Sequence, residues 1–184
     1  MRKTLVSILT AVALLLLPAT PAVAAAPSPW SPWAPSPTPP FTRTGLCTAE
    51  VGFTFPVDEV VQRTRTDPGG NTEIQSKGRL VVTLTPLVPG TPRHHTFDIS
   101  GPSLGKNTQI AYLNGDYLYR ATGASVIFFF GTAVEGTGMP RLALTRGPIA
   151  ILYTGTEKAD VITRPRTVID LCARMGLGTA VARA

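Results

Sequence analysis

The sequence predicts an all-β domain, an antiparallel β-sandwich of about nine or ten short strands. Three observations carry this. Apolar residues alternate with polar ones at a period of two, turn-forming clusters recur about every 8–12 residues, and no stretch of the domain carries an apolar stripe at helical spacing. A closed, lipocalin-like β-barrel is the alternative, because the same periodicity lines the inside of either architecture.

The chain opens with the three zones of a secretory signal. Arg2 and Lys3 supply the positive end, Leu5 to Leu17 is apolar apart from Ser7 and Thr10, and Pro18 breaks the helix before the small residues Ala22-Val23-Ala24. Residues 1–24 are therefore read as a signal peptide, with cleavage after Ala24; cleavage after Ala26 would place Pro27 directly beyond the scissile bond. No later apolar run approaches the roughly 20 residues that a membrane-spanning helix needs. The expected location is extracellular or cell-wall associated.

Residues 25–43 read as a proline-rich linker. Pro27 to Pro40 runs PSPWSPWAPSPTPP, and proline fixes φ and removes a backbone donor, so an extended arm is expected. Both tryptophans, Trp30 and Trp33, fall here. They are read as resting on the domain, the other possibility being that they meet a carbohydrate or an aromatic groove.

The β domain is placed at 44–174. From Cys47 to Phe55 the odd positions Cys47, Ala49, Val51, Phe53 and Phe55 face a core. A second strand, Val57 to Thr66, ends at the turn cluster Asp67-Pro68-Gly69-Gly70-Asn71. Arg79 to Thr85 follows, then a segment broken by Pro86, Pro89 and Pro92, then His95 to Ser100, stopped by Gly101-Pro102. Thr108 to Leu113 and Tyr117 to Ala121 form a hairpin across Asn114-Gly115-Asp116. Ser125 to Phe130, SVIFFF, is apolar at successive positions and is expected to be a central strand covered on both faces. Arg141 to Thr145 and Pro148 to Tyr153 are read as a hairpin across Arg146-Gly147, Thr167 to Cys172 as the last strand, and residues 175–184 as a tail.

The only two cysteines, Cys47 and Cys172, open the first strand and close the last. In an oxidising compartment pairing is the default, and a disulfide between them would staple the two ends of the domain. No CxxC pair suggests a redox role.

Function is bounded mostly by exclusion. Arg2 and Lys3 leave with the signal, so the mature chain carries fifteen basic residues against eleven acidic ones, a net charge of +4 scattered singly. That is a solvated surface, not a nucleic-acid stripe. His94 and His95 adjoin on a strand and so point to opposite faces, which speaks against a shared metal. A Ser125–His95–Asp98 triad lacks any supporting motif, Asp58-Glu59 diverge as strand neighbours, and Gly131 to Gly138 lacks the strand-to-helix context of a phosphate loop. No catalytic residue, cofactor or metal is expected. Phe53, Phe55, Phe97, Phe128, Phe129 and Phe130 read as core, or as the lining of a cavity for an apolar ligand.

The order of LCTAEVGFTF, TFDISGP, YLYRATG and TVIDLCA resembles a group of exported proteins of GC-rich actinobacteria that have a signal peptide, a β domain and a C-terminal Asp-Leu-Cys motif. The resemblance covers most of residues 45–173. It implies export and a β fold, and it carries no functional residues, since no activity is assigned to that group. The expected function is a secreted or cell-surface β domain that binds or builds without catalysis; the alternative is an extracellular carrier of a small apolar ligand in a barrel cavity.

Overall fold

The alternating runs become strands, and these distribute over three sheets. The computed structural model describes residues 26–89, 94–100, 107–155 and 158–178; the segment read as a signal peptide with its expected cleavage site, Pro92, the expected Gly101-Pro102 stop and tail residues 179–184 lie outside them. In chain order the strands are β1 (Ala34–Pro35), β2 (Phe41–Arg43), β3 (Val51–Asp58), β4 (Val61–Thr66), β5 (Thr72–Lys77), β6 (Leu80–Pro86), β7 (His95–Asp98), β8 (Asn107–Ala111), β9 (Tyr117–Ala121), β10 (Ala124–Phe128), β11 (Leu142–Arg146), β12 (Ile149–Thr154), β13 (Lys158–Thr163) and β14 (Thr167–Asp170). A one-turn helix, α1 (Leu171–Arg174), follows.

They form three antiparallel sheets, ordered β1-β4-β5-β8-β9-β12-β13, β2-β3-β6-β7 and β10-β11-β14. None closes into a barrel, so the sandwich reading holds and the barrel alternative is corrected. The three-stranded sheet is the middle layer. Val126, Phe128, Leu142 and Leu144 pack on one side with Val51, Phe53, Val82 and Leu84 of the four-stranded sheet. Ile127, Phe129 and Ala143 face the other way, onto Ala121, Ile149, Ile151 and Ala159 of the seven-stranded sheet. Two apolar faces back to back explain why β11 is buried from Leu142 to Thr145.

The outer sheets are joined by one bent ribbon. β3 continues into β4, β6 is reached from β5, and both chains turn together at Glu59-Val60 and Gly78-Arg79, where Glu59 N–H donates to Arg79 O at 2.9 Å. Gly78 has φ +132°, and a Cβ there would collide with the Glu59 carbonyl oxygen. Only glycine permits that crossing.

The disulfide Cys47–Cys172 is formed, with Cα atoms 5.5 Å apart, and both residues are buried in the first core. Cys172 does not close a strand, however. β14 stops at Asp170, whose side chain accepts from Ala173 N–H at 3.0 Å and caps α1. Asp-Leu-Cys is thus a helix cap, a fully buried anchor at Leu171 and the staple.

Several other expectations change. Among the described residues fourteen strands replace the nine or ten expected, since β5 and β13 are polar enough to pass for loops and β1 and β2 lie in the proline-rich segment. SVIFFF is covered on both faces yet is an edge strand, with β11 central. β11 and β12 are not a hairpin: the chain changes sheet at Arg146-Gly147, where Gly147 N–H donates to Gly123 O and Arg166 N–H to Arg146 O. Nor is the 25–43 segment a free spacer. Ala34 and Pro35 pair with Gln62 and Val61, and Phe41 stacks on Phe53 at 4.6 Å. The backbone of Ser28 and Ser31 donates to Thr66 and Thr64. Trp30 and Trp33 do rest on the domain, under Arg63 at 4.5 and 4.7 Å.

Candidate functional site

The two sides of the middle layer are not filled alike. Between the seven-stranded sheet and β10 lies a cavity of about 770 Å³, closed at one end by Val60, Gly78 and Leu80 of the bent ribbon. That is the size of a site for a drug-sized molecule.

Strand register defines the cavity's first wall. Gln62, Ser76 and Asn107 are cross-strand partners and share the inner face of the seven-stranded sheet. So do Ile74, Gln109, Tyr119 and Ile151, one register further along, and the pair Tyr117 and Tyr153. This face carries an uncharged band of hydroxyls and amides. Ser76 Oγ is buried without a hydrogen-bond partner. The residues between them point out: Arg63 hydrogen-bonds Gln75, and Arg65 pairs with Glu73 at 2.6 Å. Lys77 extends its ammonium over Trp33, 4.3 Å from the ring centroid, and therefore puts no charge into the cavity.

The second wall is apolar but has a polar edge. Five consecutive residues, Ala124 to Phe128, line the cavity, and because strand side chains alternate, the cavity runs along β10's open edge. Phe129 N–H donates to Arg141 O and Gly147 N–H to Gly123 O, so odd-numbered residues bond β11. The N–H and C=O groups of Ala124, Val126 and Phe128 face the other way, toward the open edge. Leu80, Ile99 and Phe130 complete the apolar surface.

The phenols stay neutral over any ordinary pH. Burial, with Tyr119 nearby, pushes Tyr117 up to about 12. Burial raises Tyr153 as well, reinforced by Tyr119 and Tyr117, and raises Tyr119, where a hydrogen bond with Ser125 partly opposes it. These groups donate and accept hydrogen bonds; none is poised as a base. At the rim stand Ser36 and Thr38 of the proline-rich segment. Ser36 N–H donates to Val60 O at 2.9 Å, and Thr38 N–H to Asp58 Oδ2 at 2.6 Å.

The residues singled out from sequence are scattered. His94 Nδ1 lies 2.9 Å from Thr85 Oγ1, while His95 Nε2 is buried without a partner. Asp98 accepts from Ser100 N–H at 2.8 Å, and hydrogen bonds from Ser100 lower its pKa. His95 and Asp98 fall on opposite faces of β7, and Ser125 belongs to the middle sheet, so no triad forms. Asp58 fixes the proline-rich segment, and Glu59 is an exposed partner of Arg79 at 3.6 Å. Gly131 to Gly138 is a run of turns whose buried Thr137 accepts from Arg164 through its carbonyl. Among the described residues no three His, Cys, Asp or Glu come together as a metal site, and no helix is long and apolar enough to cross a membrane.

Of the aromatic candidates, Phe53 and Phe129 are core, while Phe128 and Phe130 line the cavity. Sequence reasoning missed Ser76, Tyr117, Tyr119, Tyr153, Gln62, Asn107 and Gln109. One signal pointed to them: in TEIQSK and NTQIA the positions of both parities are mostly polar, so neither face can be a dry core. No protein-family model matches the chain, and no curated protein and no solved structure matches it either.

Proposed function

We propose that this protein is an extracellular, non-enzymatic binding protein that carries a small, largely apolar molecule in the cavity between its seven-stranded sheet and β10. The observation that carries this reading is the cavity itself. A domain that buries Phe53, Leu84 and Leu142 completely on one side of its middle layer has, among its described residues, an open-sided cavity of about 770 Å³ on the other. A concave, mostly apolar opening of this size with a few polar groups has the form of a small-molecule site. Secretion is supported by the signal-like N-terminus and by the disulfide, which is compatible with an oxidising compartment. The absence of catalysis is supported by a described lining of tyrosines, amides and hydroxyls with no carboxylate or histidine.

Native mass spectrometry of the exported protein, followed by solvent extraction, tests the proposal directly. A co-purifying mass, together with stoichiometric uptake of the uncharged fluorophore N-phenyl-1-naphthylamine, is expected. Gln109→Trp, which projects into the cavity from the inner face of β8, should abolish uptake while the disulfide still forms. Folded protein that yields no ligand and takes up no probe would overturn the reading.

A further inference from the structure

The chemistry of the two walls narrows the ligand class. Ser76 is 7% exposed, and its Oγ meets no hydrogen-bond partner. A buried hydroxyl left unpaired costs on the order of 1–3 kcal/mol, a cost that a partner arriving in the cavity would remove. Around it stand Gln62 and Asn107 as cross-strand partners, with Tyr119 further along the same wall and Ser125 across the cavity. The outward-turned backbone of Ala124, Val126 and Phe128 adds both donors and acceptors, which buried backbone must satisfy. Every one of these groups is uncharged. The one cation in the described lining, Lys77, holds its ammonium on Trp33, and the described lining has no carboxylate.

We propose that the cavity selects a neutral amphiphile, a long apolar chain with a hydroxyl-bearing head group, seating the head between Ser76, Tyr119 and the open edge of β10 and the chain against Leu80, Phe128 and Phe130. An ionised head group would enter with no countercharge, and an unpaired charge is far costlier to bury than a hydroxyl. The selectivity rests on the carrier function proposed above.

The test compares 1-monooleoylglycerol with oleate, which share a chain and differ in head-group charge, at pH 8 and below their aggregation concentrations, alongside N-phenyl-1-naphthylamine. Monooleoylglycerol is expected to bind more tightly by at least about tenfold, the preference that an uncompensated buried charge imposes. Ser76→Ala should weaken monooleoylglycerol severalfold, leave the fluorophore unchanged, and raise the melting temperature of the ligand-free protein, because it removes an unpaired buried hydroxyl. Tyr119→Phe, which deletes only a hydroxyl, serves as the second variant should Ser76→Ala misfold. Equal binding of the two lipids, or oleate binding more tightly, overturns the selectivity while the carrier reading stands. Fluorophore uptake without either lipid also overturns it, and variants that leave monooleoylglycerol affinity unchanged overturn the proposed seat. If lipids and fluorophore alike fail to bind, the carrier reading falls with it.

Discussion

The two faces of the middle sheet share one backbone and have opposite interiors. Toward the four-stranded sheet, Val126, Phe128, Leu142 and Leu144 meet Val51, Phe53, Val82 and Leu84, with Phe41 stacked at the side and Cys47–Cys172 across the ends. Toward the seven-stranded sheet, Ile127 and Phe129 meet apolar residues only over β9, β12 and β13, and the remaining width is cavity. Strand alternation turns the even side chains of β10 toward the four-stranded sheet and the odd ones toward the seven-stranded sheet, while the open edge of the strand borders the cavity. Stability and binding are therefore separable at residues that belong to only one of the two, such as Leu84 in the core and Gln109 in the lining.

The packed side should show the largest losses. Replacing Cys47 and Cys172 by alanine frees a 125-residue separation, for which chain-entropy reasoning gives close to 5 kcal/mol as an upper value. Urea unfolding with and without reductant measures it, and a shift below about 1 kcal/mol would show that packing alone holds the ends together. Leu84→Ala, at a fully buried position, should cost about 2–5 kcal/mol. Neither change reaches the cavity, so uptake of the fluorophore should persist in whatever fraction remains folded.

The packed side was also the legible one. VGFTF alternates cleanly because one of its faces meets a dry core, and two cysteines leave a single pairing. The cavity side was nearly mute. Gln62, Ser76, Asn107 and Gln109 read as solvent-facing polar residues, because a wall that meets a ligand has the composition of one that meets water. β13 hid for a related reason: it is an edge strand whose Lys158 and Asp160 face outward while Ala159 alone in KAD is buried. The change of sheet at Arg146-Gly147 was beyond sequence, since turn residues announce that the chain reverses but not which sheet it enters next.

A matched pair of insertions sharpens the contrast. Ala143→Leu forces bulk into the closed middle layer and should cost about 1–3 kcal/mol, whereas Ala121→Leu projects into the cavity and should stay within about 0.5 kcal/mol while reducing ligand uptake. Equal costs at the two positions, measured by thermal melts, would mean that the cavity collapses in solution. The tyrosines make the same distinction through pH. Tyr117 has a folded pKa raised from 10.0 to about 12 by burial, so its contribution is complete below pH 10 and disappears as pH climbs through about 12. Tyr119 and Tyr153 are raised as well and act in the same direction. Stability should hold to about pH 9 and decline above 10, and a Tyr117→Phe, Tyr153→Phe double variant should flatten that alkaline limb. An unchanged limb would place the titrating groups elsewhere.

The smallest effect belongs to the rim. Trp30 lies under Arg63 and Arg65 at 4.5 and 4.4 Å, and Trp33 under Arg63 and Lys77 at 4.7 and 4.3 Å, contacts worth about 0.5–1 kcal/mol each at partly exposed sites. Trp30→Ala with Trp33→Ala should therefore barely move the global unfolding midpoint, because neither core loses a residue. The local consequence is larger, since these rings pin the proline-rich segment whose Ser36 and Thr38 edge the cavity. Hydrogen exchange at the Ser28, Ser31, Ser36 and Thr38 amides, all donors in the docked segment, should accelerate in the double variant, and bound fluorophore should leave faster without a matching change in the packed core. If those amides keep their protection, the backbone bonds to β4 and Asp58 hold the rim by themselves, and the stacked rings serve only the outer face.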